Sequence, residues 1–508
     1  MKPLTPQKKR NIIIVVIVLA ALLAGVVAWV LWAKHHRPED APERTFWQQL
    51  GFSHAAGDDS TELGEITLKK DSLYLVVQGQ DTAFFVMDTI LKGQAQGVWY
   101  SLTEGSNLLE SKHITLSAAQ IEQYTFAPFV LSHSEPLHDH RYQSPICTVT
   151  RHQDIEYAQG TGYWASLVSK GDESRGKLIT EGLAKSLKKR MVPLTMDVYT
   201  PQTEHGAAAP LIIFLHGGAF YVGDKGENHI ADWCQHFASL GYVTASVNYR
   251  MGFHPTKKDI SSTIQMASAD LLSATHYLLD HAEDWNIDTA NLFLAGTSAG
   301  AITALKVVFN RRTDVHYKAV ANMWGAIDDP KLLRHATTSI VSFHGDADPM
   351  VPYEEGYPFS ELGNGQVGKM LFGKMYGSKS IHEAAQKRGI RTKLYTFKGE
   401  GHALHENADH TRNASNFNFI KDSVSSFFYQ ELVPQAAVIR AVEGSPRHYT
   451  LDNAAAVHWH AQGGFILRQE GNDVWVVWHK EGPRRLEVSC RYPVGVGVTI
   501  TKQIDEHN

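Results

Sequence analysis

The chain has 508 residues and a formal net charge of −5, with 43% hydrophobic and 20% charged residues. This length exceeds one domain, and the composition is that of a globular protein. Because no long basic block lies beyond the N-terminus, nucleic acid is not an expected partner. The three cysteines, Cys147, Cys234 and Cys490, are far apart and odd in number. They predict neither a disulfide framework nor a zinc module.

Residues 1–39 are predicted to be a cytoplasmic stub and a transmembrane anchor. Ile12–Ala33 carries no charged side chain, and about 22 apolar residues suffice to cross a ~30 Å hydrocarbon layer as a helix. Lys8, Lys9 and Arg10 precede this run, which favours a cytoplasmic N-terminus. A cleavable signal peptide is the alternative, but it has a shorter apolar core and a small-residue cleavage site. We therefore expect an uncleaved single-pass anchor, with the rest of the chain periplasmic or extracytoplasmic and the lipid bilayer as a partner.

Residues 40–150 are predicted to form a β-rich N-terminal domain. Runs such as SLYLVV, GVWYSL and HITLS are β-branched, aromatic or alternating, and turn residues separate them. One polar cluster in this region has three imidazoles and a carboxylate, which suit zinc: His133, His138, Asp139 and His140. Their spacing matches no common zinc module. We therefore expect an exposed loop and no metal.

Residues 151–432 alternate buried strands with helical segments. Leu211–Leu215 is wholly apolar and leads into the sequence HGGAF at residues 216–220. Apolar positions recur at helical spacing over residues 259–284. This alternation predicts the α/β class, with a central mostly parallel sheet covered by helices on both faces. Ligands of such sheets bind at the carboxyl ends of the strands.

The stretch GTSAG, residues 296–300, follows the apolar run LFLA and precedes the helical sequence AITALKVVF. A serine between glycines in a strand–turn–helix setting is typical of a nucleophile elbow. A serine hydroxyl is a poor nucleophile near neutral pH, so it requires a base, a group that orients the base, and an oxyanion site. Two later strands end in polar loops that offer two carboxylates and two imidazoles for these roles: Asp346, Asp348, His402 and His405.

Residues 155–430 resemble bacterial carboxylesterases of the α/β-hydrolase family. The motifs that carry the resemblance are HGGAF, SVNYRMGF, GTSAG and WGAIDD. The resemblance implies an α/β-hydrolase fold and hydrolysis of a small-molecule carboxylic ester through an acyl-serine intermediate, without a cofactor. Its pattern HG-x-x-D-x-x-VP selects Asp348 as the orienter, with Asp346 as the alternative. The sequence GEGH favours His402 over His405 as the base, and Ser298 is the nucleophile.

The resemblance also implies an oxyanion hole. Its backbone N–H donors are those of Gly218 and Ala219 in the HGGAF loop and of Ala299 after the nucleophile. Ala219 stands where the family's HGGG loop has a third glycine. A strongly left-handed conformation at this alanine would be strained.

Access to the site is not settled by the sequence. Residues 353–380, rich in glycine and aromatic side chains, are either a lid or a decorated surface loop. Phe220, Tyr221 and Trp324 are positioned to line a pocket, although core packing is an equal alternative for Trp324. The chain lacks the long additions of cholinesterase-like enzymes, which favours aryl and short acyl esters over long lipid chains.

Residues 437–508 change to short alternating strands with Gly, Asn and Pro turns. This pattern predicts a small Ig-like β-sandwich. The spacing of Trp459, Gly463, Gly464, Trp475 and Trp478 resembles PKD-like modules of bacterial surface proteins. The resemblance implies a spacer or a contact surface for another surface, a glycan or a protein.

A membrane-anchored serine esterase is the leading prediction. A serine peptidase of the same fold is one alternative, and an inert surface-binding protein is another. The joint presence of Ser298, Asp348 and His402 with the oxyanion loop argues against inertness, because packing alone does not require all of these parts together.

Overall fold

The computed structural model describes residues 140–168, 182, 188–202, 208–310, 313–407, 409, 411–445 and 447–504, together with the strands, one short helix and one turn residue between residues 61 and 129. The predicted anchor Ile12–Ala33 lies outside the described residues, as do His133, His138 and Asp139 of the polar cluster. Within the described ranges, no helix has the length and hydropathy needed to cross a bilayer.

Seven strands and one short helix occupy the first described part of the chain. They are β1 (Thr61–Leu63), β2 (Ile66–Leu68), β3 (Leu73–Gln78), β4 (Asp81–Leu91), β5 (Gln94–Leu102), β6 (Leu108–Ser117), α1 (Ala118–Ile121) and β7 (Thr125–Phe129). Strands β3 to β6 pair with their sequence neighbours in antiparallel register, and β7 pairs with β3. This segment is β-rich, as the alternating pattern predicts.

The central part of the chain forms an eight-stranded sheet in the order β18-β15-β13-β12-β10-β11-β9-β8. The strands of this part are β8 (Thr148–Gly162), β9 (Arg190–Gln202), β10 (Ala209–Leu215), β11 (Val243–Val247), β12 (Ile287–Thr297), β13 (Ala319–Met323), β14 (Ala326–Ile327), β15 (Ser339–Gly345), β16 (Glu355–Gly356), β17 (Met375–Gly377) and β18 (Thr392–Phe397). Strand β9 runs antiparallel to both of its neighbours, β8 and β11. The six strands from β11 to β18 in this order run parallel to one another. The predicted mostly parallel sheet is confirmed.

Among the described residues, seven α-helices and one 3₁₀ turn accompany these strands. They are α2 (Asn228–Ser239), α3 (Lys257–Asp280), α4 (Ala282–Trp285), α5 (Ala299–Val308), the 3₁₀ turn Pro330–His335, α6 (Gln366–Leu371), α7 (Ser378–Gln386) and α8 (Ala414–Leu432). Asn413 caps α8, because its side chain accepts a hydrogen bond from the amide of Asn416.

Helices cover both faces of the sheet, since alternate side chains of a strand point to opposite faces. On one face, Leu211, Ile213 and Leu215 belong to a core that includes apolar residues of α3 and α5. On the other face, Phe214 contacts Phe237 of α2 with ring centroids 5.7 Å apart. Burial on both faces explains why β10, β11, β13 and β15 are buried at every position.

The last described part of the chain is again β-structure. Its strands are β19 (Val438–Ala441), β20 (His448–Asp452), β21 (Ala455–Gln462), β22 (Gly464–Glu470), β23 (Asp473–His479), β24 (Arg484–Arg491) and β25 (Gly497–Ile504). Strand β23 pairs in parallel with β6, so that Trp478 lies opposite Leu108 and His479 opposite Leu109. The described residues form two compact units, one within residues 1–136, 438–490 and 499–508 and the other within residues 137–437 and 491–498. The sequence predicts separate domains for residues 40–150 and 437–508, with a small β-sandwich in the second. In the structure, strands β3 to β7 share one nine-stranded sheet with β19, β20, β22 and β23, whereas β1 with β2, and β21 with β24 and β25, form small sheets of their own.

Candidate active site

Ser298 lies in a strained turn between β12 and α5. Its backbone has φ 49° and ψ −115°, in the region that L-residues rarely adopt. The turn closes only because its flanking glycines lack side chains. A Cβ atom on Gly300 would lie 2.4 Å from the carbonyl oxygen of Leu215, and one on Gly296 would lie 2.6 Å from the carbonyl of Gly300. Strain of this kind collects at functional sites.

Ser298, His402 and Asp348 form a hydrogen-bonded chain. The Nε2 atom of His402 lies 2.9 Å from the Oγ of Ser298, and its Nδ1 lies 2.6 Å from the Oδ2 of Asp348. A carboxylate only accepts hydrogen bonds, so Nδ1 carries a proton and Nε2 accepts from the serine hydroxyl. The three residues follow β12, β15 and β18, whose carboxyl ends share one edge of the sheet. The structure thus brings together the three side chains that the sequence singled out.

Asp348 is held as an anion. Burial alone would raise the pKa of its carboxyl, but hydrogen bonds from His344 and His402 outweigh burial and hold the pKa well below its usual range. Its other oxygen, Oδ1, accepts hydrogen bonds from the amides of Met350 and Val351 at 2.7 and 3.0 Å. The carboxylate is therefore fixed in orientation as well as in charge.

His344 was not singled out from the sequence, although it contacts the same oxygen of Asp348, Oδ2, as His402 does. Its side chain is fully buried, with Nε2 3.1 Å from Asp348 Oδ2 and 3.2 Å from the carbonyl oxygen of Val351. Both neighbours are acceptors, so Nε2 carries the proton and Nδ1 accepts from the Ser378 hydroxyl at 2.7 Å. Asn322 in turn donates to Ser378. A histidine at the end of a wholly buried strand was the available signal, because such a side chain needs a polar partner.

The alternative residues Asp346 and His405 lie elsewhere. Asp346 is exposed, and its Oδ1 accepts a hydrogen bond from the Gly399 amide at 2.6 Å. The His405 ring stacks on Trp324 with centroids 5.3 Å apart and contacts the His229 ring at 4.0 Å. The geometry therefore joins Asp348 and His402 to Ser298, and assigns Asp346 and His405 to other contacts.

The HGGAF loop turns sharply beside Ser298. Gly218 has φ 100°, and Ala219 and Phe220 follow in the left-handed region with φ 54° and 61°. The amides of Tyr221 and Val222 both donate to the Gly218 carbonyl at 2.9 Å and hold this turn. Ala219 thus adopts the strained conformation considered from the sequence. Among the described residues, no backbone carbonyl in a turn or loop accepts a hydrogen bond from the amides of Gly218, Ala219 or Ala299.

The pocket at Ser298 is small and apolar. A cavity of about 30 Å³ is lined by Ala219, Phe220, Ser298, Ala299, Ile302, Met350, Val351, Pro358, Phe359, Phe372, Met375 and His402. Gly218 is not part of this lining. Phe220 is, whereas Tyr221 packs edge-on against Trp164 and Trp324 is buried against His405. Half of the lining comes from residues 350–375, so this segment forms a wall of the pocket.

A second, polar cavity of about 520 Å³ lies beside α2. It contains Glu227, whose pKa is raised to about 7 by burial and by the nearby carboxylates of Asp224 and Glu406. Protonated Glu227 therefore contributes to the stability of the fold. This contribution is lost as the pH rises from about 4.5, the ordinary pKa of a glutamate, through 7.

Across the described ranges, no group of three or more His, Cys, Asp or Glu side chains is arranged to hold a metal ion.

We expect Glu227→Gln to remove this pH dependence. Relative to the wild type, the free energy of unfolding of the variant should increase by about 1–3 kcal/mol between pH 4.5 and pH 8, because the amide need not ionise in a buried place. Urea unfolding of both proteins at the two pH values measures the difference. A constant difference across that range would contradict the assignment.

The fold and the site define the class. A mostly parallel sheet, a left-handed serine between strand and helix, and the chain order serine, aspartate, histidine are those of the α/β-hydrolase fold.

Comparison with known proteins points to esterases over part of the chain. The family model described as BD-FAE matches residues 196–323, which is less than half of the chain. The probable N-octanoylanthranilate hydrolase AqdA2 of Rhodococcus erythropolis is 34% identical over 123 residues, which are 24% of this chain and 26% of that protein. Esterase LipI of Mycobacterium tuberculosis is 30% identical over 125 residues, which are 24% of this chain and 36% of LipI. The chain thus spans about a quarter to a third of the curated relatives it matches.

Among solved structures, the apo form of Thermogutta terrifontis esterase 2 is similar, with 20% sequence identity and a TM-score of 0.36. The match covers 47% of this chain and 90% of that one. The residues matched by the family model, 196–323, lie within the unit that contains Ser298.

Proposed function

We propose that the protein is a serine hydrolase that cleaves carboxylic esters through an acyl-serine intermediate. The observation that carries the proposal is the continuous chain from Ser298 Oγ through His402 to Asp348, with contacts of 2.9 and 2.6 Å. Packing requires neither a strained serine nor a buried carboxylate aimed at an imidazole. The match of residues 196–323 to the BD-FAE family model and the similarity to esterase LipI support the same class of reaction.

The mechanism uses the side chains of Ser298, His402 and Asp348 together with three backbone amides. Ser298 Oγ attacks the ester carbonyl carbon while His402 Nε2 takes its proton. The backbone amides of Gly218, Ala219 and Ala299 stabilise the oxyanion, and each such donor contributes about 3–4 kcal/mol to the transition state. His402 then donates the proton to the leaving alkoxide, and the C–O bond breaks. Water, activated by the same imidazole, hydrolyses the acyl-serine, while Asp348 stabilises the charged form of the ring.

The closest rival is a serine peptidase of the same fold, and a matched pair of substrates separates the two. We expect turnover of p-nitrophenyl acetate with an initial burst of p-nitrophenol, since the pocket at Ser298 has room for an acetyl group. An amino-acid p-nitroanilide, which carries a similar chromophore on an amide, should be turned over far more slowly. Faster cleavage of the anilide would favour the peptidase, and no turnover of either by the folded protein would favour an inert binding protein.

We also propose that Ile12–Ala33 anchors the protein in a membrane, with the hydrolase unit periplasmic or extracytoplasmic. The uncharged run and the basic residues before it support this placement. For this anchor, the expected result is retention of the protein in the membrane pellet after alkaline carbonate extraction, and release into the supernatant would contradict it.

A PKD-like contact role for the C-terminal strands is likewise a proposal, based on the tryptophan and glycine pattern.

A further inference from the structure

A third cavity, here called the side chamber, adjoins the pocket at Ser298. It has a volume of about 320 Å³ and shares Ile302, Phe372 and Met375 with the lining of that pocket. Isoleucines of α3 and of β14, namely Ile260, Ile264 and Ile327, extend the apolar floor. The chamber therefore lies next to the small catalytic pocket, and the side chains of Ile302, Phe372 and Met375 form the wall between them.

The rim of the side chamber is cationic. Lys257, Lys306 and Lys374 line it, but two of them are neutralised. Lys306 lies 2.5 Å from Asp328, and Lys374 pairs with Glu355.

Lys257 has no ion pair with any described residue. A Cβ atom placed on Gly373 would lie only 3.3 Å from Lys257 Nζ, so this ammonium lies against the opposite wall of the chamber. One exposed lysine without an ion pair among the described residues thus lies at the rim of a cavity that has an apolar floor and a polar wall.

The chemistry of ester cleavage decides which arm of the substrate enters this chamber. The leaving alkoxide takes its proton from His402 Nε2 and must therefore lie beside that ring. The side chamber borders the catalytic pocket at Ile302, which lies one turn along α5 from the oxyanion donor Ala299. Neither Ser298 nor His402 contributes to its lining. The arm that extends into it is therefore the acyl arm, which stays on Ser298 when the alcohol leaves.

We propose that the side chamber binds the distal end of an acyl group that terminates in a carboxylate, so that the preferred substrates are monoesters of dicarboxylic acids. The inference rests on the proposed ester hydrolysis. At ~30 Å³ for each water-sized group, the chamber holds about ten non-hydrogen atoms. The apolar floor suits a methylene chain, and Lys257 provides the charge-assisted partner for its end. Met375, unbranched and adaptable, is a wall that such a chain can displace.

The test compares two esters of equal chain length on the full-length protein in detergent. p-Nitrophenyl hydrogen suberate ends in a carboxylate, whereas p-nitrophenyl methyl suberate ends in a neutral ester. We expect kcat/KM for the acid to exceed that for its methyl ester about five- to tenfold, a value between the effect of an exposed ion pair and that of a buried charge-assisted hydrogen bond. Lys257→Gln should lower this ratio at least threefold. Lys258→Gln, which removes the next charge along the same exposed turn but does not line the chamber, should keep it.

The outcomes are distinct. Equal kcat/KM for the two esters, or an equal ratio in the wild type and Lys257→Gln, would overturn the proposal while turnover of p-nitrophenyl acetate leaves the esterase function standing. A loss of the ratio in both lysine variants would also overturn it, because the effect would then be one of general surface charge. Absence of turnover with every ester would overturn the proposed function, and with it the inference.

Discussion

Ser298→Ala is expected to lower kcat/KM for p-nitrophenyl acetate on the order of 10⁵- to 10⁶-fold. The hydroxyl is the only group of this site placed to attack a carbonyl carbon, and alanine leaves His402 and the oxyanion amides without a nucleophile to activate. The fold should persist, because the change removes one oxygen atom and leaves the strained backbone between β12 and α5 as it is.

Steady-state kinetics and thermal unfolding measure these two expectations. Ser273→Ala makes the same chemical change on the exposed side of α3, where the hydroxyl only donates to the carbonyl of Ala269, and should leave the activity unchanged. Substantial activity in Ser298→Ala would exclude Ser298 as the nucleophile.

Asp348→Asn is expected to lower kcat about 10⁴-fold. The Oδ2 atom of Asp348 accepts hydrogen bonds from both His402 and His344, and an amide cannot provide a negative charge to the imidazolium that forms during catalysis. If the amide nitrogen takes the Oδ2 position, it also forces the wrong tautomer on His402. Either arrangement leaves Nε2 a poor base for Ser298.

Asp346→Asn is the matched control, since it makes the same change two residues earlier. Its carboxylate accepts a hydrogen bond from the Gly399 amide, which an asparagine side-chain oxygen also accepts, so kcat should change by no more than a few-fold. Equal losses in the two variants, measured under identical conditions, would contradict the role of Asp348.

The nucleophile turn and the parallel sheet were predictable because they depend on neighbours in sequence. The wholly apolar run Leu211–Leu215 predicts a strand covered on both faces. Gly296 and Gly300 are required by close contacts of the turn that holds Ser298. The acid and the base follow buried strands, so their positions at one sheet edge follow from the parallel topology.

The union of the two outer β segments was not predictable from sequence. Strand pairing is made by backbone groups, which carry no label of their partner. Nothing in the sequence around Trp478 specifies that it lies opposite Leu108 in a parallel ladder, about 370 positions earlier in the chain. Their positions near opposite ends of the sequence suggested two domains, whereas strands β3 to β7 share one sheet with β19, β20, β22 and β23.

The support of Asp348 by His344 also escaped the sequence analysis. Its partner Ser378 begins α7 inside the segment 353–380, for which the sequence left a lid and a surface loop equally open. That segment provides Phe359, Phe372 and Met375 as walls of the pocket. Which side chains meet there depends on tertiary packing, which periodicity does not reveal.

Reaction of the full-length protein with a fluorophosphonate, followed by peptide mass spectrometry, tests the central claim most directly. A fluorophosphonate phosphonylates only a serine that a neighbouring base has activated. We expect one adduct on the folded wild type, located at Ser298, with no adduct in Ser298→Ala and slow labelling in Asp348→Asn. An unlabelled Ser298 in the folded wild type, or an adduct on another residue, would contradict it.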